Sequence, residues 1–250
     1  MAPVLETVGL VKRFGGITAA SDISLRVEKG ARHALIGPNG AGKTTVINLL
    51  TGMLRPTSGQ ILLDGNDITG VEPHERVRRG VARTFQINQL FGDLTPIETI
   101  GLAVSERMGT GRQWWRVIGS KSEILDDVVS LIEQFHLADV MYDRTAILPY
   151  GKQRLLEIAL AIACRPRVLL LDEPAAGVPD AERHEILATI EALPKDVTVL
   201  LIEHDMDIVF SFADRISVMV NGALFVEGDP DDVARDPRVK AVYLGESLDA

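Results

Sequence analysis

Cysteine is almost absent: Cys164 is the only one in 250 residues. An internal disulfide is therefore excluded, and without a cluster of Cys and His at ligand spacing no zinc site is expected. Long uncharged runs are missing too. No stretch free of Asp, Glu, Lys and Arg exceeds eleven residues, the length reached from Thr44 to Leu54, whereas a membrane-spanning helix needs about 20 largely apolar residues. The expectation is a chain that does not cross a bilayer by itself. Met1-Ala2-Pro3-Val4-Leu5-Glu6 shows no basic segment followed by an apolar one, so no secretory signal is expected. These features favour a reducing, cytoplasmic compartment. Nor is there an excess of positive charge. Lys plus Arg number 26 against 35 Asp plus Glu, a formal charge of −9, which argues against coating nucleic acid or anionic lipid by charge alone. What is present is a 46% hydrophobic composition, enough for a sizeable core, so disorder and collagen-like structure are excluded. The length exceeds the usual single domain yet is short for two independent ones.

Short β-branched or aliphatic runs alternate with helical stretches and no internal repeat is visible. Strands are expected at Arg32–Ile36, Gln60–Leu63, Val81–Phe85, Val168–Leu171, Val197–Ile202 and Arg215–Val220. Helices are expected at Gly42–Thr51, Glu182–Leu193 and Met206–Phe212. That alternation reads as α/β with a largely parallel sheet, and the continuous apolar runs at Val168–Leu171 and Val197–Ile202 suit strands buried on both faces. From about Asp93 to Arg165 the pattern changes. Helical periodicity at Pro96–Arg107, Glu123–Phe135 and Gln153–Ala163 indicates a helical lobe (93–165) inserted into a core formed by 1–92 and 166–250. Gly109–Ser120 reads as a loop inside it. Two short helices are expected near Pro230 and Pro237.

The strongest local signal is Gly37-Pro38-Asn39-Gly40-Ala41-Gly42-Lys43-Thr44, a full match to the phosphate-loop pattern G-x-x-x-x-G-K-[ST]. It follows the apolar Ala34-Leu35-Ile36 and opens the helix that begins near Thr45, which is the context the motif requires. The alternative, an ordinary glycine-rich turn, does not call for both flanks. Glycines let backbone N–H groups turn inward as an anion nest, and the helix N-terminus adds positive potential. Asn39, Gly40, Ala41, Gly42, Lys43, Thr44 and Thr45 are thus candidate nucleotide contacts. Lys43 would reach the β- and γ-phosphates, and the Thr44 hydroxyl would ligate Mg²⁺.

Such a loop needs a carboxylate at the end of a buried strand. Val168-Leu169-Leu170-Leu171-Asp172-Glu173-Pro174 supplies an acidic pair there. Asp172 is the candidate for the metal, and Glu173 is placed to polarise the attacking water. An acidic pair after a strand can also be a solvated turn; the upstream loop favours the functional reading. Guanine-specific GTPases carry Asn-Lys-x-Asp, and the chain contains no Asn-Lys pair. The long separation of Thr44 from Asp172 does not suit a small nucleotide kinase.

These residues resemble the ATPase subunit of ATP-binding cassette (ABC) transporters across essentially the whole chain. The resemblance implies a P-loop NTPase core with a mostly parallel sheet, an antiparallel N-terminal β part and the inserted helical lobe, together one ABC ATPase domain spanning 1–250. It implies ATP and Mg²⁺ as ligands and hydrolysis coupled to transmembrane transport. Phe14, in Arg13-Phe14-Gly15-Gly16, matches the aromatic that stacks on adenine. Gln86, in Thr84-Phe85-Gln86, matches the glutamine that touches Mg²⁺ and senses the membrane partner. His204, in Leu201-Ile202-Glu203-His204-Asp205, matches the histidine that holds the γ-phosphate and the catalytic acid in register. Catalysis would then rest on Glu173, His204 and Lys43, with Thr44, Gln86 and Asp172 serving the metal.

The family signature, Leu-Ser-Gly-Gly-Gln, is altered to Leu148-Pro149-Tyr150-Gly151-Lys152, followed by Gln153. In the family this segment binds the γ-phosphate of ATP held by the opposite subunit. Pro149 carries neither the serine hydroxyl nor an N–H; Tyr150, Gly151, Lys152 and Gln153 remain as candidate contacts, with Lys152 able to add positive charge. The following loop departs as well, with Pro179 in Ala175-Ala176-Gly177-Val178-Pro179-Asp180. The chain's own phosphate loop is expected to keep intact chemistry, while the composite site it completes for its partner is changed.

Within the family, Arg13-Phe14-Gly15-Gly16, the run from Asp172 to Gly177, the run from Leu201 to Met206 and the terminal Ala241-Val242-Tyr243-Leu244-Gly245-Glu246 resemble the larger ATPase subunit of bacterial branched-chain amino acid importers. That implies a heterodimer with a second ATPase (a homodimer being the alternative), two permease subunits, a periplasmic solute-binding protein acting indirectly, no nucleic acid, and a place on the cytoplasmic face of the inner membrane, peripheral through the permease. Lipid or lipopolysaccharide export is the rival within the fold, and a soluble ABC ATPase acting on DNA or ribosomes the rival outside it. Trp114-Trp115 either packs on the helical lobe or meets the permease or membrane interface. Arg76, Arg78 and Arg79 read as a solvated helix end, and Cys164 as a buried small apolar residue.

Overall fold

The computed structural model describes residues 3–84, 90–109 and 122–244. It forms two compact units, one made of Met1–Val81, Arg167–Glu173 and Pro194–Ala250, the other of Ala82–Pro166 and Pro174–Leu193. The predicted loop Gly109–Ser120 lies, beyond Gly109, outside the described residues, as do Gln86, Trp114 and Trp115.

The first unit carries two sheets. Strands β1 (Pro3–Phe14), β2 (Ile17–Ile23), β3 (Arg26–Glu28), β5 (Ser58–Leu63) and β6 (Asn66–Asp67) make an antiparallel sheet of order β2-β1-β5-β6, with β3 also paired to β1. The other sheet has the order β11 (Ala223–Gly228), β10 (Arg215–Val220), β4 (Arg32–Ile36), β9 (Thr198–Ile202), β8 (Val168–Asp172) and β7 (Val81–Arg83). Strands β10, β4, β9 and β8 run parallel, and β11 returns antiparallel along β10. Every residue of β9 and the first four of β8 are buried, which is why these strands read as unbroken apolar runs. The registers Val218↔Ile36, Leu35↔Ile202 and Asp172↔Ile202 bring the carboxyl ends of the four parallel strands to one edge, where open α/β sheets bind ligands. Helix α1 (Lys43–Leu50) buries Val46, Ile47, Leu49 and Leu50 against residues of both sheets, among them Leu10, Ile23, Leu170 and Leu200.

Arg76 corrects the sequence reading. It lies in helix α2 (Pro73–Arg78) and is 1% exposed, not solvated. Its guanidinium donates to the carbonyls of Leu49, Leu50, Thr69 and Val71 at 2.7–2.9 Å. Leu49 and Leu50 end α1, so a cation sits on the carbonyls of its last turn, at its negative pole. The residue pattern also offers no strand before Arg32. In β1 the alternation is broken by bulges and by Gly9 at φ +56°, so a period of two never becomes visible.

The second unit holds α3 (Pro96–Arg107), α4 (Ser122–Gln134), α5 (Tyr150–Ala163) and α6 (Asp180–Glu191). Thr95 and Glu98 form a reciprocal capping box that starts α3. Helices α3, α4 and α5 pack together, burying Ile100, Val104, Ile124, Val128, Leu155 and Ile158. Cys164, which follows α5, is half-buried, its Sγ bonded to the Leu160 carbonyl at 3.6 Å. In the first unit the chain continues through α7 (Met206–Phe212) to the predicted terminal pair α8 (Pro230–Arg235) and α9 (Pro237–Leu244). Among the described residues no helix is long and apolar enough to cross a membrane.

Candidate functional site

Strand β4 ends at Ile36, and the next six residues turn the chain into α1. Gly42 stands at the N-cap with φ +99°, and a Cβ there would lie 2.5 Å from the Ala19 carbonyl. Only glycine fits. No side chain caps the helix, so its first N–H groups face an adjoining cavity of about 480 Å³. Asn39, Gly40, Ala41, Gly42, Lys43, Thr44 and Thr45 line it on one side, Asp172 and Glu173 on another. The buried Lys43 folds back, donating Nζ to the carbonyls of Gly37 at 2.6 Å and Pro38 at 3.1 Å. Burial lowers its ammonium pKa, and the nearby Glu173 and Asp172 charges pull it back up.

Asp172 closes β8. Glu173 then takes φ +47°, left-handed for a non-glycine residue, while its N–H donates to the Ile202 carbonyl at 2.9 Å. Strain of this kind, about 1–3 kcal/mol, persists where the surroundings over-determine it. The exposed His204, just past β9, places Nδ1 3.5 Å from Glu173 Oε1 and 3.8 Å from the buried Glu203. Phosphate-directed N–H groups, one ammonium, two carboxylates and an imidazole therefore meet at the carboxyl edge of the sheet. Such a set can hold a polyphosphate and present a base to a water beside it. The Thr44 hydroxyl and Asp172 carboxylate are hard oxygen donors on the same cavity, which fits Mg²⁺ bound partly through phosphate and water.

Phe14 is not among the cavity-lining residues. It ends β1, exposed just before the β1–β2 turn, with Lys12 Nζ 5.0 Å from its ring centroid, and Ile17, Thr18 and Ala19 line the wall instead. Asn221 and Gly222 also line the cavity, and the Gly222 N–H donates to the Ala41 carbonyl at 3.0 Å. Sequence reasoning missed them, although Asn-Gly between two apolar runs is a hairpin signal.

In the second unit, Pro149 occupies the N-cap of α5 and makes no side-chain cap. The Gly151 N–H donates to Glu182 Oε2 at 2.8 Å, and the Tyr150 hydroxyl donates to the Ala176 carbonyl at 3.3 Å. Gln153 Nε2 donates to the Leu148 carbonyl at 2.9 Å. Lys152 Nζ donates to the His136 carbonyl at 2.6 Å and lies 3.4 Å from Asp139 and 3.6 Å from Glu185. Two carboxylates therefore offset the charge that this lysine brings.

The ABC transporter profile matches residues 20–176, which include the phosphate loop, Asp172 and Glu173. The chain belongs to the ABC transporter family. As a cassette of this family it is a nucleotide-binding ATPase whose hydrolysis is coupled to transport. A second profile, the branched-chain amino acid ATP-binding cassette transporter, matches residues 224–249 of this ABC chain. The high-affinity branched-chain amino acid transport ATP-binding protein BraF of Pseudomonas aeruginosa is 41% identical to it, covering 98% of this chain and 99% of the relative. LivG of Escherichia coli, of the same description, is 39% identical with the same coverage. Among solved structures, a nucleotide-free cassette from an ABC transporter superposes with a TM-score of 0.83 at 32% identity, covering 98% of this chain and all of the other. The ADP conformation of a transporter cassette gives 0.84 at 33%, with the same coverage.

Proposed function

We propose that this ABC cassette hydrolyses MgATP to drive import of branched-chain or closely related amino acids. The observation that carries the chemistry is the single cavity shared by the phosphate loop, Lys43, Asp172 and Glu173. Relatives aligned over nearly the whole chain support the cargo.

In this reading the loop N–H groups from Asn39 to Thr45, with Lys43, bind the β- and γ-phosphates. Thr44 and Asp172, with Gln86, hold Mg²⁺, which offsets phosphate charge when bound. Glu173 accepts a proton from the water that attacks the γ-phosphorus as ADP leaves. His204, 3.5 Å away, orients that carboxylate, and Phe14 stacks on the base. The segment Tyr150, Gly151, Lys152 and Gln153 completes the partner ATPase's site.

Partners of the importer are a second ATPase, in a heterodimer, two permease subunits and, indirectly, a periplasmic solute-binding protein. The cassette then lies on the cytoplasmic face of the inner membrane, its helical lobe (93–165) against the permease. An exposed apolar patch supports that docking: the Ala146 N–H donates to the Gly92 carbonyl, and the adjoining Phe91 and Ile147 are 65% and 74% exposed.

Two measurements test the reading. Glu173→Gln should keep MgATP affinity while hydrolysis falls by a factor on the order of 10²–10⁴, the worth of a general base; rapid hydrolysis by this variant would refute the assignment. In the reconstituted complex, binding protein loaded with leucine, isoleucine or valine should stimulate the ATPase. Stimulation by a lipid instead would reassign the cargo.

A further inference from the structure

The turn between β10 and β11 has no part in the chemistry above, yet it borders the phosphate cavity. The pairing Val220↔Ala223 leaves Asn221 and Gly222 as a two-residue loop, at φ +48° and +81°. Positive φ at both positions is what such a hairpin needs, and Asn-Gly supplies it. The buried Gly222 then reaches two other segments. Its N–H donates to the Ala41 carbonyl at 3.0 Å, and its carbonyl accepts the Ser21 N–H at 2.7 Å. A Cβ on Gly222 would lie 3.1 Å from the Ala19 carbonyl, and one on Gly42 would lie 3.4 Å from the Gly222 Cα. The hairpin, β2 and the phosphate loop thus meet around one glycine, and residues of all three line the cavity.

Gly42 is left-handed at φ +99° and ψ 4°, and Lys43 opens helix α1. A left-handed residue followed by a right-handed one turns three successive N–H groups, here those of Gly42, Lys43 and Thr44, into an anion-binding concavity. In a trans peptide a carbonyl and the N–H of the next residue point in opposite directions. The bond that holds the Ala41 carbonyl to the hairpin therefore holds the Gly42 N–H, the first of the three, pointing away from it. Glycine at 42 resists rotation of that peptide only weakly, so the restraint comes from outside the loop.

We propose that Gly222 is a positioning residue for nucleotide binding: its N–H fixes the Ala41–Gly42 peptide and so aims the first N–H of the nest at phosphate. The inference rests on the MgATP reading of the same cavity. Through the Ser21 bond the same glycine also holds β2, whose Ile17, Thr18 and Ala19 form another wall. A turn far along the chain is thereby part of the phosphate site.

The test uses the full chain with glycolic acid in place of Gly222, an ester that removes the N–H and keeps the turn and the Gly222 carbonyl. Well below the melting midpoint, MgATP binding should weaken about three- to tenfold, the worth of one hydrogen bond. The Gly42 amide resonance should shift without nucleotide. Unchanged affinity overturns the proposal, and so does an unmoved Gly42 resonance. Gly222→Ala, whose Cβ presses toward the Ala19 carbonyl, should lose at least as much affinity; where it fails to fold, the ester variant decides. Gly65→Ala is the control, because Gly65 has a similar φ of +75° with open space around it and so takes comparable backbone strain away from the loop. It should keep full affinity; an equal loss there would mean that strain alone weakens binding, and the positioning role would fall. If the unaltered chain does not bind MgATP, the nucleotide reading itself falls. If it binds and the ester variant binds equally well, only the role of Gly222 falls.

Discussion

The Gly151 N–H points at a carboxylate of its own chain: Glu182 Oε2 accepts it at 2.8 Å. Proline at 149 cannot cap α5, so α6 supplies from elsewhere the acceptor that an N-cap serine would have offered. Glu182→Ala should therefore destabilise the second unit by about 1–2 kcal/mol. Adding Pro149→Ser should recover part of that loss, and urea midpoints of the two single variants and the double variant would show it. Strict additivity would mean that the carboxylate and the cap are unrelated. Pro149→Ser alone should leave MgATP affinity at the chain's own loop unchanged and alter turnover of the assembled dimer.

Arg76 joins the end of the phosphate-loop helix to the α2 segment through four carbonyls. Arg76→Leu should cost about 3 kcal/mol, because it leaves buried acceptors unpaired. Arg76→Lys should recover less than half of that, since a compact ammonium cannot span the four carbonyls. Unfolding midpoints check both, and a lysine variant as stable as the parent would refute the bridging role.

His33, fully buried in β4, places Nε2 2.8 Å from Ser217 Oγ, and Ser217 donates its one proton to Glu227 Oε2 at 2.7 Å. Nε2 must therefore donate, so in the neutral imidazole the proton sits on that nitrogen. Burial lowers its pKa from 6.5 to about 4. The unfolded chain binds the extra proton first, so this group's stabilisation is full above pH 6.5 and is lost as the pH falls toward 4. The loss amounts to about 3 kcal/mol. The carboxyl of Glu157, raised to about 7 mainly by burial, acts in the opposite sense, its contribution falling as the pH rises from 4.5 to 7. The gap in stability between the parent and His33→Gln isolates the histidine. It should shrink by about that amount between pH 7 and pH 4, and a constant gap would refute the assignment.

The parallel core was legible in the residue pattern because β8 and β9 are buried on both faces, which writes hydrophobicity into every position. Arg32–Ile36, Arg215–Val220 and Pro96–Arg107 occur with the predicted bounds. The phosphate loop was legible because its glycines and lysine are required locally. What escaped was set by distant packing. A basic run cannot disclose that Arg76 turns inward while Arg78 is exposed in an ion pair with Glu75. Likewise, nothing near Gly151 announces Glu182, and nothing near Lys152 announces Asp139 and Glu185. Phe14, matched through the family resemblance, lies outside the lining of the cavity.

Strand β9 lies between β4 and β8, paired in parallel with each. Lys43 and His204 follow β4 and β9, Asp172 closes β8, and the three come from distant parts of the chain. Their meeting depends on two long-range pairings, the slowest kind of contact to establish. Displacing β9 would separate Lys43 from Asp172 and so dismantle the phosphate cavity. Nucleotide, which binds only the finished edge, acts as a latch on a completed sheet and draws the population toward the fully folded state.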